Sequence, residues 1–98
     1  MRNYKLEKLQ AGETVETSEG GGSMSPIIKS RQKHILAPVK DWDKEISVGD
    51  IVYCKVKGNF YTHFVKAKHI DRGCLIGNNK GRLNGWTTQI YGKVTQIL

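Results

Sequence analysis

Two runs rich in β-branched and aromatic residues, positions 51–57 and 60–68, are separated only by Gly58 and Asn59. A Gly-Asn pair between two such runs is typical of a tight hairpin loop, because both residues readily adopt the left-handed backbone angles that short hairpin turns require. This hairpin constrains the fold more than any other feature, since it makes two neighbouring strands pair in antiparallel fashion.

The predicted hairpin also assigns side chains to faces. With a two-residue loop, Cys54 lies opposite His63, and side chains alternate between the faces of each strand. Lys66 therefore points away from His63, which is the only strongly polar residue on the core face. A half-buried histidine without a hydrogen-bond partner costs about 1–3 kcal/mol, so we expect His63 to have one. The predicted core face comprises Val52, Cys54, Val56, Tyr61, His63, Val65 and Ala67.

Shorter strand and turn signals continue along the rest of the chain. Many short strands with little helix favour an all-β fold, a small curled barrel of short antiparallel strands. We expect residues 1–98 to form one domain, with 1–20 as a flexible or loosely attached N-terminal segment. Outside the hairpin we predict a weak helix at 3–10, strands around Val15 and at 34–37, 75–76 and 89–98, a polar loop at 41–45 and a glycine-rich loop at 77–85.

Composition predicts an ordinary globular chain. Apolar residues make up 38% and charged residues 26% of the 98 positions, as in most globular domains. No apolar run approaches the length that spans a bilayer, and no signal peptide opens the chain. Cys54 and Cys74 are too few for a disulfide framework and match no zinc-binding spacing. We therefore expect a cytoplasmic protein with two core thiols and with no metal or other cofactor.

The formal net charge of +7 is distributed unevenly. Residues 1–22 hold three basic and four acidic side chains, whereas residues 23–98 hold thirteen basic and five acidic ones. A basic body attracts nucleic acid or acidic proteins, but it is also typical of a solubilising surface, which we favour in the absence of a nucleic-acid motif. Lys80, Arg82 and Trp86 are candidates for binding phosphate or a partner. The interpretation that we favour is a turn whose tryptophan closes one end of the barrel.

A serine in a glycine-rich turn begins the pattern Ser23-Met24-x-Pro26, directly after three glycines. Three glycines permit backbone angles that are closed to other residues. Such a run is also typical of an engineered linker, but the residues on both sides have native character. Further blocks follow in the order Gly49-Asp50-Ile51-Val52, Thr62-His63-Phe64-Val65, Gly77-Asn78-Asn79 and Tyr91-Gly92-Lys93-Val94.

These five blocks, in this order, resemble the type I signal peptidase and LexA-like autoprotease superfamily of serine peptidases over about residues 11–98. The chain is similar to short soluble members of that superfamily encoded by phages and bacteria. The resemblance implies a β domain like the C-terminal domain of LexA. It also implies a serine that is activated by a lysine or a histidine, without the full Ser-His-Asp triad.

By position, the resemblance implies that Ser23 is the nucleophile, that His63 is the general base and that the Gly22–Ser23 turn contributes to the oxyanion hole. The histidine-type members carry aspartates where this chain has Asn78 and Asn84, so these two residues are the candidates for orienting His63. An asparagine can hold an imidazole by hydrogen bonding but cannot stabilise the imidazolium by charge. The expected site is therefore a serine–histidine dyad.

The resulting hypothesis is a serine peptidase-like domain that cleaves a peptide bond in itself or in a partner protein. Ala11-Gly12 matches the bond that LexA-like proteins cut in themselves, although Ala-Gly is a common dipeptide and an ordinary loop is the simpler interpretation. The alternative hypothesis is a catalytically inactive relative whose basic surface binds a protein or a nucleic acid.

Overall fold

The computed structural model describes residues 2–98. Strands dominate this part of the chain, as its many β-branched residues and turn signals predict. Both helices in it are short, and neither has the length or the apolar character needed to cross a bilayer. In chain order the elements are α1 (Tyr4–Gln10), β1 (Val15–Thr17), β2 (His34–Pro38), α2 (Trp42–Glu45), β3 (Ile51–Val56), β4 (Asn59–His69), β5 (Gly73–Gly77), β6 (Leu83–Thr87) and β7 (Ile90–Ile97).

All seven strands form one antiparallel sheet in the order β1-β2-β7-β3-β4-β5-β6. The all-β prediction is confirmed, but the sheet is open, so the predicted small curled barrel is wrong. The strands β1 and β6 lie at the two ends of this order and do not pair with each other, while β7 lies between β2 and β3. The β3–β6 part is nevertheless curled, since a methyl group on Gly85 would lie 3.3 Å from Val56 Cγ1.

The β3–β4 hairpin forms with a register that differs from the prediction by two residues. Its loop is Lys57-Gly58, with φ angles of 50° and 85°, and Val56 pairs with Asn59. Val52, not Cys54, therefore lies opposite His63. A shift of one residue would exchange the two faces of a strand, whereas a shift of two preserves them. The predicted assignment of side chains to the two faces is therefore correct.

The two faces of the sheet bury separate apolar clusters. One cluster lies inside the curl and the other lies beneath α1, where Leu9 packs against Gly92 of β7. The N-terminal segment, expected to be loosely attached over residues 1–20, is thus held on the sheet by Leu9 of α1 and by the β1–β2 pairing. The first cluster comprises Ile46, Val52, Cys54, Val56, Val65, Cys74, Ile76 and Ile90, and the second comprises Leu9, Val15, Leu36 and Tyr53.

Two segments predicted as loops contain regular structure. The polar stretch 41–45 forms α2, because the side chain of Asp41 accepts a hydrogen bond from the backbone N–H of Asp43 and caps the helix. The glycine-rich stretch 77–85 turns back on itself and leads into β6, which pairs with β5. The second difference matters for function, because β6 carries Asn84.

Candidate active site

Ser23 lies in a closed loop that connects β1 to β2. The neck of this loop is a backbone hydrogen bond of 2.6 Å from the N–H of Arg31 to the C=O of Glu19. Met24 and Ile28 anchor the loop, since they are only 5% and 6% exposed, while Ser23 itself is exposed. The sequence thus buries the apolar residues of the loop and leaves the serine hydroxyl at the surface.

The hydroxyl of Ser23 meets the imidazole of His63 on β4. Ser23 Oγ lies 3.0 Å from His63 Nε2, and the histidine is 7% exposed. On the other side of the ring, His63 Nδ1 lies 2.7 Å from Oδ1 of Asn84 on β6. A carboxamide oxygen only accepts hydrogen bonds, so Nδ1 carries the hydrogen and Nε2 of the neutral ring presents its lone pair to Ser23. This is the tautomer that a general base for Ser23 needs.

The two asparagines predicted to orient His63 have different positions. Asn84 contacts the imidazole as expected, but Asn78 does not. Asn78 Oδ1 accepts hydrogen bonds from the backbone N–H groups of Lys80 at 2.8 Å and Arg82 at 3.0 Å. The orienting role proposed for Asn78 is therefore wrong, because its side chain is committed to building the β5–β6 turn.

Asn79, the neighbouring residue, holds the turn of Ser23, a contact that the sequence did not predict. Its backbone N–H donates to the C=O of Ser23 at 3.1 Å, and its Nδ2 donates to the C=O of Ser25 at 2.9 Å. The β5–β6 turn thus holds the Ser23–Met24 and Ser25–Pro26 peptide units. The Gly-Asn-Asn block was visible in the sequence, but nothing in it indicated which asparagine faces the serine.

The Gly22–Ser23 turn has the geometry of a tight turn with free donors at its tip. The C=O of Gly22 accepts a hydrogen bond of 3.1 Å from the N–H of Ser25. Within residues 2–98, the N–H groups of Ser23 and Met24 donate to no protein acceptor. A free backbone N–H beside a nucleophile is the type of donor that stabilises a developing oxyanion. Gly22 thus helps to form the turn that carries these free N–H groups.

A half-buried polar cluster around Glu19 supports both halves of the dyad, and sequence reasoning missed it. Glu19 Oε1 accepts a hydrogen bond from the hydroxyl of Thr62 and lies 3.3 Å from Lys5 Nζ and 3.6 Å from His34 Nε2. Burial raises the pKa of Glu19, but interactions with His34, Thr62 and Lys5 outweigh this effect and lower that pKa to about 2. Glu19 is therefore an anionic anchor between the loop of Ser23 and the strand of His63.

The three predicted binding residues do not form one patch. Lys80 and Arg82 are exposed at the β5–β6 turn. Trp86 lies further along β6, opposite Leu75, where the guanidinium of Arg72 covers its ring at 5.7 Å from the centroid. The expectation that Trp86 closes a barrel end is wrong, because the sheet has no closed end.

In residues 2–98 no group of three or more His, Cys, Asp or Glu side chains is arranged to hold a metal ion. Cys54 and Cys74 are free and buried. No protein-family model, curated protein or solved structure matches the chain.

Proposed function

We propose that this protein is a serine peptidase-like hydrolase, related to the type I signal peptidases and LexA-like autoproteases, that cleaves a peptide bond in a protein substrate. The observation that carries the proposal is the continuous contact from Ser23 Oγ to His63 Nε2, at 3.0 Å, and from His63 Nδ1 to Asn84 Oδ1, at 2.7 Å. A serine hydroxyl is a weak nucleophile until a neighbouring base removes its proton.

The reaction follows from this arrangement in two stages. Ser23 Oγ forms a bond to the scissile carbonyl carbon while its proton moves to His63 Nε2, and the oxyanion faces the N–H groups at the loop tip. The C–N bond then breaks, and His63 returns the proton to the leaving amine. Water hydrolyses the acyl-enzyme by the same proton transfers in reverse order, which regenerates the Ser23 hydroxyl.

Asn84 limits the rate that such a site supports. It orients the imidazole in the correct tautomer but brings no negative charge to the imidazolium that forms during each stage. The proposed enzyme is therefore slower than one with a carboxylate at that position. A slow peptidase suits a processing reaction in which each substrate molecule is cut once.

The proposal is tested by incubating the purified protein with a diverse synthetic peptide mixture and identifying new termini by mass spectrometry. We expect the wild-type protein and the control variant Ser47→Ala to produce the same cleavage products, because Ser47 is an exposed serine outside the site. The Ser23→Ala and His63→Ala variants should lose them. Products that persist in Ser23→Ala, or the absence of products with the wild-type protein, would contradict the proposal.

A second candidate is a binding module that retains the fold without catalysis. Two observations favour it, the uncharged Asn84 behind His63 and the excess of free cations. Among residues 2–98, only Arg2, Lys5 and Lys93 of the 16 lysines and arginines pair with a carboxylate. This candidate predicts salt-dependent binding of an oligonucleotide or an acidic protein that Ser23→Ala leaves unchanged.

A further inference from the structure

An open groove of about 280 Å³ lies beside the nucleophile turn and is not used by the dyad. Its floor includes Phe64 on β4, on the face opposite to His63, and one wall is Val48, which is 60% exposed. A large exposed aliphatic side chain next to an aromatic ring offers a surface for an apolar group of a ligand. The groove is lined by Val48, Gly49, Phe64, Val65, Lys66 and Asn79.

The groove is continuous with the Ser23 loop through Asn79. This residue lines the groove and also holds the carbonyl groups of Ser23 and Ser25. A second, smaller cavity of about 40 Å³ lies against Ser23 and Thr62. Thr62 and Phe64 are two residues apart on one face of β4, a distance of about 6.5–7 Å. An extended peptide advances by the same distance in two residues, so one strand-like segment reaches both positions.

Lys66 lines the groove, and two further cations, Lys80 and Arg82, lie on the β5–β6 turn that contributes Asn79 to the lining. Lys66 Nζ lies 5.0 Å from the centroid of the Phe64 ring, and a methyl group on Gly77 would lie 3.0 Å from Lys66 Cε and 2.9 Å from the carbonyl oxygen of Arg82. The stem of Lys66 therefore lies against the β5–β6 turn, which also carries Lys80. Among residues 2–98, no carboxylate is within ion-pair distance of Lys66, Lys80 or Arg82.

We propose that this groove is a substrate subsite that selects an extended segment with alternating aliphatic and acidic side chains next to the scissile bond. The aliphatic groups pack on Val48 and Phe64, and the carboxylates pair with Lys66 and with the cations of the β5–β6 turn. The proposal rests on the proposed function only in calling the ligand a substrate, because binding to the groove needs no catalysis. Since the cations are exposed, the preference for acidic segments weakens as salt screens them.

The test measures binding to Ser23→Ala, which cannot cleave its ligand. The probes are three fluorescein-labelled decapeptides that alternate leucine with glutamate, glutamine or lysine. We expect the glutamate peptide to bind at least about fivefold more tightly than the glutamine peptide at low ionic strength, and the lysine peptide most weakly. Adding Lys66→Glu and Arg82→Glu to Ser23→Ala should reverse the order of the glutamate and lysine peptides. Lys8→Glu together with Lys40→Glu, at two exposed lysines outside the groove, changes the net charge by the same amount and should preserve that order.

Each result decides between the alternatives. Equal affinity for the glutamate and glutamine peptides, or an order that Lys66→Glu and Arg82→Glu do not change, overturns the subsite even if the wild-type protein cleaves peptides. A glutamate preference that reverses in the charge variants supports the subsite even if no peptide is cleaved, and the proposed function then fails alone. A single-stranded oligonucleotide that displaces the glutamate peptide and binds more tightly assigns the groove to nucleic acid and overturns the proposal.

Discussion

Asn84 lies behind His63 where a carboxylate would complete the proposed catalytic site, but its side chain carries no charge. Its Oδ1, 2.7 Å from His63 Nδ1, lies where a carboxylate oxygen would stabilise an imidazolium. We predict that Asn84→Asp raises kcat on the order of tenfold or more, because each 1.4 kcal/mol of added stabilisation in the transition state is a factor of ten in rate. The measurement is kcat on a peptide that the wild-type protein cleaves.

Asn78→Asp is the matched control for that change. Its side-chain oxygen accepts hydrogen bonds from two backbone N–H groups in the β5–β6 turn. An aspartate at this position would accept the same bonds, and its charge would not contact the imidazole. We expect kcat to stay near the wild-type value. An Asn84→Asp enzyme no faster than the wild type would show that charge behind His63 does not limit the reaction.

The ionised carboxylate of Glu19 makes the stability of the folded state sensitive to acid. Because its pKa falls from 4.5 to about 2 on folding, the folded state favours the ionised form. This stabilisation is complete above pH 4.5 and disappears as the pH falls through 2. The carboxylate is one-third exposed, so solvent screening reduces its contribution to about 1–3 kcal/mol.

We therefore predict that Glu19→Gln is less stable than the wild type by about 1–3 kcal/mol at neutral pH, and that the difference shrinks as the pH falls through 2. Urea unfolding at a series of pH values measures it, and the comparison cancels the contributions of other carboxylates. A difference that is the same at neutral and strongly acidic pH would contradict the ionic role of Glu19.

At the scale of elements, the β4–β5 connection depends on a glycine. Gly73 has a φ of 93°, and a methyl group there would lie 2.2 Å from the carbonyl oxygen of Thr87 on β6. We predict that Gly73→Ala costs about 3 kcal/mol or more in the free energy of unfolding, because strain and overlap with backbone add together.

Gly58→Ala separates these two causes. Gly58 also has a positive φ, of 85°, but a methyl group there meets nothing within 4 Å. Its substitution should cost only the conformational strain, about 1–2 kcal/mol. Chemical denaturation of both variants gives the comparison, and equal losses would show that the close approach to Thr87 is relieved by a small shift of β6.

The β3–β4 hairpin and the strand β6 show which elements the sequence predicts and which it does not. The β3–β4 hairpin and its faces were predictable, because alternation of side chains is a local property that a register shift of two residues preserves. The loop itself was placed one residue too late, since Lys57 adopts a φ of 50° that lysine seldom takes. The strand β6 was missed because its Asn and Gly residues resemble a loop, and only pairing with β5 makes it a strand.

The site was predictable only in part. Ser23 and His63 are identified by a resemblance between short motifs, and the structure brings them together. Glu19 has no such motif, because its partners Lys5, His34 and Thr62 come from three separate segments that only the fold assembles. A lone glutamate before a glycine run carries no signal of this cluster.

At the scale of the whole molecule, both cysteines report on the integrity of the core inside the curl. Burial raises the pKa of the Cys54 thiol to about 12 and also raises that of Cys74. We predict that neither thiol reacts with an aromatic disulfide reagent in the native protein at neutral pH, and that both react after unfolding. Rapid reaction of either thiol in the native state would show that this core opens readily.

The candidate site is itself a property of the whole chain. Its three groups come from the β1–β2 loop, from β4 and from β6, which are separated by 40 and 21 residues along the sequence. Their alignment depends on the curl of the sheet and on the contacts of Asn79 with the loop. Catalysis should therefore be lost in the same cooperative transition as the fold.

Covalent labelling by a fluorophosphonate, followed by intact-protein and peptide mass spectrometry, tests directly whether Ser23 is an activated nucleophile. Attack by Ser23 Oγ forms an O–P bond and expels fluoride, while His63 accepts the proton. We predict one adduct, located on Ser23, that Ser47→Ala retains, that Ser23→Ala abolishes and that His63→Ala slows by about 100-fold or more. An unlabelled Ser23, or a labelling rate that His63→Ala leaves unchanged, would show that the two side chains meet without forming a nucleophile.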